Sequence, residues 1–312
     1  MLRSIGTYSF STTTTRNLTM PTQYLVASHK PFPCYRSILC LLLSIAFLNL
    51  SGCSSLFFFP EKTHYFNPKQ ANIDFDDIYL KTADGETIHG WHLKPIGESK
   101  GIIYFLHGNA ENISTHIGSV VWLVEAGYEI FALDYRGFGK STGSPDLQGA
   151  LVDVKKGYEW VVSQQAKKPR DVFILGQSLG AALTLSFASH SVGLDTHVNG
   201  IIVDAGFPSF RGIANEKLSD VWLTWPLQYP LSWLIPSRYD SDNHLYQIAP
   251  IPLLVIHSTH DIIIPFHHGQ SIYQQASEPK EFLVTDTPHT ATFASMGYID
   301  YTLKFIEYYS NQ

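Results

Sequence analysis

Short apolar runs alternate with longer amphipathic segments along most of this chain. Strands buried on both faces of a parallel sheet are apolar throughout, whereas helices repeat apolar residues every three or four positions. The apolar runs predict six buried strands, at 101–106, 128–133, 171–175, 198–203, 251–257 and 281–285. Helical spacing is clearest at 117–124, 147–164 and 296–309. This alternation predicts an α/β fold with a mostly parallel sheet and helices on both of its faces.

Two segments depart from this alternation. Residues 74–93 alternate apolar and polar positions on both sides of Asp84-Gly85, which predicts an antiparallel hairpin at the edge of the sheet. Residues 207–248 are too long for a simple connection and are rich in aromatic and proline residues. We expect this segment to form a small cap over the site, and the alternative is an extra helix pair that covers the sheet edge.

The N-terminal segment has the pattern of a targeting signal. Basic residues without acidic ones precede an apolar run at 37–50, which is followed by small residues. The stretch from Leu50 to Cys53 resembles the lipobox of bacterial lipoproteins, in which the cysteine becomes the lipidated N-terminus. The alternative is an uncleaved signal anchor, because the apolar stretch continues to Phe59 and is then long enough to span a bilayer. Both interpretations predict a body in the cell envelope, outside the cytoplasm.

Composition and charge exclude several classes of function. The sequence is 45% hydrophobic and 15% charged, which fits a packed core and argues against disorder. A net charge of −6 gives no support for nucleic-acid binding. Cys34, Cys40 and Cys53 all lie in the N-terminal segment, so the body has no disulfide framework and no cysteine-based metal site. The histidines between 257 and 268 lack the spacing of metal ligands, and we expect neither a metal nor a cofactor.

The clearest chemical signal is the pentapeptide Gly176-Gln177-Ser178-Leu179-Gly180, which joins a predicted strand to a helix-compatible run. A serine on such a sharp turn has a strained backbone and presents its hydroxyl at the top of the sheet. The first N–H groups of the helix have no internal acceptor and point to the same place. The pattern predicts that Ser178 is a nucleophile, with a plain glycine-rich turn as the alternative.

A nucleophilic serine needs a histidine base and a carboxylate that orients the histidine. After this kind of turn their order along the chain is serine, acid, histidine. Asp261 and His289 each follow a predicted strand, at the strand ends where α/β sheets place their sites. We predict that Asp261 is the acid and His289 the base. Asp204, at the end of another predicted strand, is the alternative acid.

Four motifs in the correct order resemble those of the α/β-hydrolase superfamily, over roughly residues 73–310. They are the serine pentapeptide, Asp261 with Pro265 in a D-x-x-[IV]-P setting, His289 after the last strand, and the pair of runs 107–110 (HGNA) and 134–139 (DYRGFG). The two runs, 107–110 and 134–139, resemble those of the subgroup that contains acyl-protein thioesterases and serine-aminopeptidase-like esterases. The resemblance implies an α/β-hydrolase fold. It also implies an oxyanion hole formed by the backbone N–H of Asn109, together with that of Leu179.

The resemblance and the targeting signal divide the chain into a signal segment at 1–52, a tether at 53–72 and an α/β-hydrolase domain at 73–312, with the cap insertion at about 207–248. We expect a serine hydrolase that cleaves a carboxylic ester or thioester of a small-molecule or lipid-like acyl substrate. The alternatives are an aminopeptidase or amidase of the same fold and a non-catalytic envelope lipoprotein that uses the fold for binding. The expected membrane partner is reached through a lipid on Cys53 or through a signal anchor, and no nucleic acid is expected to bind.

Overall fold

The structure is a computed structural model that describes residues 57–220 and 222–310. Its strands are β1 (Phe59–Pro60), β2 (Phe75–Lys81), β3 (Thr87–Leu93), β4 (Gly101–Leu106), β5 (Ala110–Glu111), β6 (Glu129–Asp134), β7 (Asp171–Gln177), β8 (Gly200–Asp204), β9 (Leu253–Ser258) and β10 (Lys280–Thr285). Its α-helices are α1 (Ile113–His116), α2 (Trp122–Glu125), α3 (Leu147–Lys167), α4 (Leu179–Ser189), α5 (Phe210–Ser219), α6 (Gln228–Ser232), α7 (His267–Gln275) and α8 (Met296–Ser310).

Eight of these strands form one sheet in the order β10-β9-β8-β7-β4-β6-β3-β2. The six strands from β10 to β6 in this order are parallel to their neighbours, while β3 pairs antiparallel with both β6 and β2. The predicted parallel sheet and the predicted hairpin at its edge are therefore both confirmed. Parallel strands place all their carboxyl ends at one end of the sheet, and α/β folds bind ligands there.

The core has one layer on each face of the sheet, as expected when strand side chains alternate. Along β4, Ile102, Tyr104 and Leu106 belong to a core that also contains residues of α3, α4, α5 and α7. Ile103 and Phe105 belong to the other core, which contains residues of α1, α2 and α8. Helices on both faces cover strands that are apolar throughout, which confirms the predicted layers.

The structure differs from the prediction of one helix at 117–124. Residues 113–125 contain two four-residue helices, α1 and α2, with a 3-10 turn at Ile117–Ser119 between them. Gly118 weakens a helix interior because it loses more conformational freedom than other residues. The Ser119 hydroxyl lies 2.8 Å from the His116 carbonyl oxygen and 2.7 Å from Gln177 Oε1. These polar contacts hold the chain in the broken form.

The first described residues lie against the domain, in the segment expected to be a tether. β1 pairs in parallel with β5, and Phe58 is buried in the core. The polar side chains of this segment mask its few apolar anchors in the sequence pattern. Phe57 and Phe58 make ring contacts with one core, and Phe66 packs against the core on the other face of the sheet. The predicted signal segment at 1–52 and the predicted lipidation site Cys53 lie outside the described residues. Among the helices of the described ranges, none has the length and apolar character needed to span a membrane.

The segment predicted as a cap contains α5, α6 and 3-10 turns at Trp225–Leu227, Ser237–Tyr239 and Leu245–Ile248. It starts just after the carboxyl end of β8. Its base is part of the core, since Phe207, Phe210 and Ile235 are buried. That the cap covers the site stays a prediction.

Candidate active site

Ser178 lies at the sharp turn between β7 and α4, as its pentapeptide predicts. Its backbone has φ 54° and ψ −116°, a left-handed conformation that is strained for a serine. The turn is held on both sides, because the Ser178 N–H donates to the Asp204 carbonyl at 2.9 Å and its own carbonyl accepts from Ala182 N–H. Gly180 is required here, since a Cβ atom at this position would collide with the Leu106 carbonyl of β4.

His289 and Asp261 lie beside this serine and form a continuous hydrogen-bonded chain with it. The His289 Nε2 atom is 2.9 Å from Ser178 Oγ, and its Nδ1 atom is 2.7 Å from Asp261 Oδ2. The loops that carry the acid and the base are bonded to each other, since Ser258 Oγ donates to the Thr287 carbonyl at 2.5 Å. Three residues that are far apart in the sequence thus have the geometry of a nucleophile, a base and an orienting acid.

The surroundings of Asp261 keep it ionised. Burial by itself raises the pKa of a carboxyl group, but the hydrogen bond and charge of His289 and the N–H groups of Ile263 and Ile264 outweigh it. The pKa of Asp261 is therefore below its usual value. Burial lowers the pKa of the neighbouring His257, whose Nε2 atom lies 3.9 Å from Asp261 Oδ2. Because His257 is neutral, it does not compete with His289 for the negative charge of Asp261.

Asp204, the alternative acid, has different partners. Its carboxylate accepts hydrogen bonds from Gln177 Nε2 and from Thr292 Oγ1, both at 2.9 Å. Gln177 directly precedes Ser178, and Thr292 follows His289 by three residues. Asp204 therefore connects the serine turn to the loop that carries His289, while Asp261 is the carboxylate bonded to the His289 imidazole. The sequence pattern favoured Asp261 as the acid but left Asp204 open, because both aspartates lie at the carboxyl end of a parallel strand.

Burial raises the pKa of Asp204 to about 6, with partial compensation from Gln177 and Thr292. The folded protein then holds this proton more tightly than the unfolded chain, whose carboxyl has the ordinary value of 3.8. The contribution of Asp204 to the free energy of unfolding therefore falls as the pH rises through this range. We expect the free energy of unfolding of Asp204→Asn to rise by about 2.4 kcal/mol relative to that of the wild type between pH 4 and pH 7.

Urea unfolding at several pH values between 4 and 7 measures this difference. Asp300→Asn, which removes an exposed carboxyl group on α8, is the matched control for the loss of one carboxyl group from the domain. A difference between Asp204→Asn and wild type that does not change with pH would contradict a buried, proton-binding Asp204.

The loop after β4, residues 107–111, carries Asn109, the predicted second oxyanion donor. Gly108 faces the nucleophile closely enough that a Cβ atom built on it would lie 3.7 Å from Ser178 Cβ. Leu179, the other predicted donor, is the first residue of α4, so its N–H has no intrahelical acceptor. The loop and the helix start thus lie on either side of the serine.

The carbonyl groups of this loop all accept hydrogen bonds from the surrounding protein. The donors, in order from residue 107 to 111, are Tyr135 Oη, His107 Nδ1, Phe59 N, His116 Nε2 and Glu61 N. Burial lowers the pKa of His116 to about 4, so its ring is neutral and donates only once at neutral pH. A peptide unit whose carbonyl is bound elsewhere keeps a fixed N–H direction. The first described segment therefore helps to fix the loop at 107–111, which carries the predicted oxyanion donor.

Sequence reasoning missed this contribution of Phe59 and Glu61, because their backbone N–H groups, not their side chains, make the contacts. Asp134 is fully buried and accepts from Ile113 N–H at 2.8 Å. Arg136 forms ion pairs with Asp153 and with Asp84, whose pKa it lowers to about 2. Both residues brace the turns beneath the oxyanion loop.

Two groups of described side chains have ligand atoms close enough to hold a cation. They are His64, His89 and Asp134, and Glu216, His267 and His268. Direct contacts already join the members of each group, as His64 Nε2 lies 3.2 Å from Asp134 Oδ2 and His268 Nε2 lies 2.9 Å from Glu216 Oε2. Neither group includes Ser178, Asp261 or His289.

Comparison with known proteins identifies hydrolases as relatives. The profile of the family described as Serine aminopeptidase, S33, matches residues 97–241. The uncharacterized protein YfhR of Salmonella typhimurium is 32% identical over 267 residues, which cover 80% of this chain and 87% of YfhR. The lysophosphatidylserine lipase ABHD12 of Mus musculus is 25% identical over 228 residues, or 71% of this chain and 56% of ABHD12.

Solved structures show the same fold. The esterase Pf2001 of Pyrococcus furiosus superposes with a TM-score of 0.65 at 20% identity, covering 81% of this chain and 98% of the esterase. An α/β-hydrolase of Vibrio vulnificus superposes with a TM-score of 0.60 at 18% identity, covering 75% of this chain and 82% of that protein. The predicted α/β-hydrolase fold is confirmed.

Proposed function

The chain belongs to the α/β-hydrolase family that includes YfhR of Salmonella typhimurium, and we propose that it is a serine hydrolase of carboxylic esters or thioesters. The observation that carries this proposal is the unbroken chain of hydrogen bonds from Ser178 through His289 to Asp261. An activated serine attacks acyl groups, and the base that activates it must reach the hydroxyl at hydrogen-bond distance.

In the acylation step, His289 takes the Ser178 hydroxyl proton while Oγ attacks the acyl carbonyl carbon. The N–H groups of Leu179 and Asn109 hold the negative charge that develops on the carbonyl oxygen, and each such donor is worth about 3 kcal/mol. His289 then gives its proton to the leaving alcohol or thiol, and an acyl ester remains on Ser178. A water molecule attacks this ester with the same proton transfers and releases the carboxylic acid.

A carboxylic ester is the substrate class that the names of the similar proteins favour, and the thioester is carried over from the motif resemblance. The lipase ABHD12 and the esterase Pf2001 both carry ester-cleaving names, and we extend that chemistry to this chain as a proposal. The family profile named after a serine aminopeptidase supports a second candidate, cleavage of an aminoacyl amide by the same three residues. We also propose that the N-terminal segment anchors the enzyme in the cell envelope through a lipid on Cys53, or otherwise as a signal anchor.

Purified full-length protein tests these candidates in one series. A fluorophosphonate probe should label the wild type, and p-nitrophenyl acyl esters and acyl thioesters should be hydrolysed faster than aminoacyl p-nitroanilides. Faster turnover of the anilides would favour the aminopeptidase. Absence of labelling together with absence of turnover would favour a binding module that keeps the fold.

A further inference from the structure

The tip of the cap carries a large exposed apolar face. We define the cap tip as residues 222–233. The side chains that are at least half exposed are those of Trp222, Leu223, Trp225, Leu227, Tyr229 and Trp233. No charged residue occurs anywhere between 221 and 237. Soluble monomers rarely expose so many large apolar side chains together, and such surfaces mark contacts with a membrane or a partner.

The chemistry of the cap tip matches the interface of a lipid bilayer. Trp and Tyr combine a large apolar ring with a polar N–H or O–H group, and they concentrate at the headgroup level of membranes. The base of the cap is fixed in the core by Phe207 and Phe210, which are 4% and 1% exposed. Trp222 and Trp233, at 84% and 68%, extend away from that core. The cap tip therefore presents exposed apolar side chains on a base that is packed into the core.

The position of the cap tip gives a second argument. The cap follows the carboxyl end of β8, and Ser178 follows the carboxyl end of β7, so both lie at one end of the parallel sheet. The described chain also begins there, because the Phe57 ring packs against Phe207 and Phe210 with centroids 6.5 and 5.5 Å apart. Site, cap base and chain entry thus share one end of the molecule.

The length of chain before this entry points to the occupant. Only residues 51–56 separate the apolar run at 37–50 from Phe57, and six extended residues span at most about 22 Å. If the apolar run or a lipid on Cys53 is inserted in a bilayer, this short connection keeps the cap base close to that bilayer. Tethering makes the contact intramolecular, so a modest apolar face is sufficient to bind. A second copy of the chain has no such advantage.

We propose that the cap tip docks on the phospholipid bilayer that holds the N-terminal segment, with Trp222, Trp225 and Trp233 at the headgroup level. The end of the sheet that carries Ser178 then faces the membrane, and acyl substrates enter from the lipid phase. The entry of substrate rests on the proposed function. The docking does not require the proposed ester chemistry, but it rests on the apolar surface and on the membrane anchor proposed above.

Quenching of tryptophan fluorescence by brominated lipid tests the docking directly. The full chain is reconstituted in phosphatidylcholine vesicles whose acyl chains are either brominated at carbons close to the headgroup or unmodified. Brominated lipid is expected to quench the wild type, and the combined variant Trp222→Phe, Trp225→Phe and Trp233→Phe should lose that quenching. Trp122→Phe with Trp160→Phe, in the partly buried body positions, is the matched control and should keep it.

The same comparison in the Ser178→Ala background separates docking from catalysis, because quenching should be unchanged there. In the active enzyme, changing the three cap-tip tryptophans to serine should lower turnover of vesicle-bound acyl esters roughly tenfold or more while turnover of a soluble short ester is kept. Equal quenching in the cap-tip variant, or none in wild type, overturns the proposal. Shielding of the cap-tip tryptophans from both brominated lipid and aqueous acrylamide would indicate a second copy and would also overturn it.

Discussion

Replacing Ser178 with alanine is expected to abolish hydrolysis of a short p-nitrophenyl ester, with a loss in kcat of about 10⁴-fold or more. The hydroxyl is the atom that bonds the acyl carbon, and no other described side chain is bonded to His289 Nε2. Initial rates at saturating substrate measure the loss. Thermal unfolding should be nearly unchanged, because alanine adopts the same backbone conformation at the same cost and the turn keeps its hydrogen bonds to Asp204 and Ala182.

Ser186→Ala is the matched control for this variant. Ser186 is a buried serine on the same helix, α4, and its substitution should leave the rate of ester hydrolysis close to wild type. Labelling by a fluorophosphonate probe should persist in Ser186→Ala and disappear in Ser178→Ala. A Ser178→Ala protein that is folded and still hydrolyses the ester at the wild-type rate would rule out this serine as the nucleophile.

Asp261→Asn is expected to lower kcat by about 10⁴-fold with a small effect on KM. The asparagine amide keeps the shape of the carboxylate and still accepts from Ile263 and Ile264 through its oxygen. Its NH₂ group donates to His289 Nδ1, which favours the tautomer with the proton on Nε2. A ring in that tautomer cannot take the Ser178 proton, so the chemical step is lost while the substrate site is kept.

Asp204→Asn separates the two candidate acids in the same assay. It removes one of the two hydrogen bonds beneath the serine turn and the histidine loop, but it leaves the contact between Asp261 and His289 intact. The loss in kcat should therefore be far smaller than for Asp261→Asn. The pair is decisive because a larger loss in Asp204→Asn would transfer the role of acid to Asp204.

The fold could be predicted in outline because its determinants are local. Apolar runs such as 101–106 require burial on both faces, and the glycines around Ser178 permit a turn that other residues resist. The prediction of one helix at 117–124 was wrong because its determinant is not local. The side chain of Ser119 is bonded to Gln177 on a neighbouring strand, and a contact between elements leaves no trace in local periodicity.

The sequence by itself determined the α/β alternation, the position of Ser178 on a strand-to-helix turn and the order of acid and base along the chain, because each depends on residue type and near neighbours. The sequence favoured Asp261 but left Asp204 open, since both lie at the carboxyl end of a parallel strand. The folded structure places Asp261 against His289 and Asp204 against Thr292, because the loops after the two strands reach different places. The contact between Phe59 and the loop at 107–111 is also visible only in the folded structure. It joins backbone groups, whose hydrogen-bonding capacity is the same in every residue except proline.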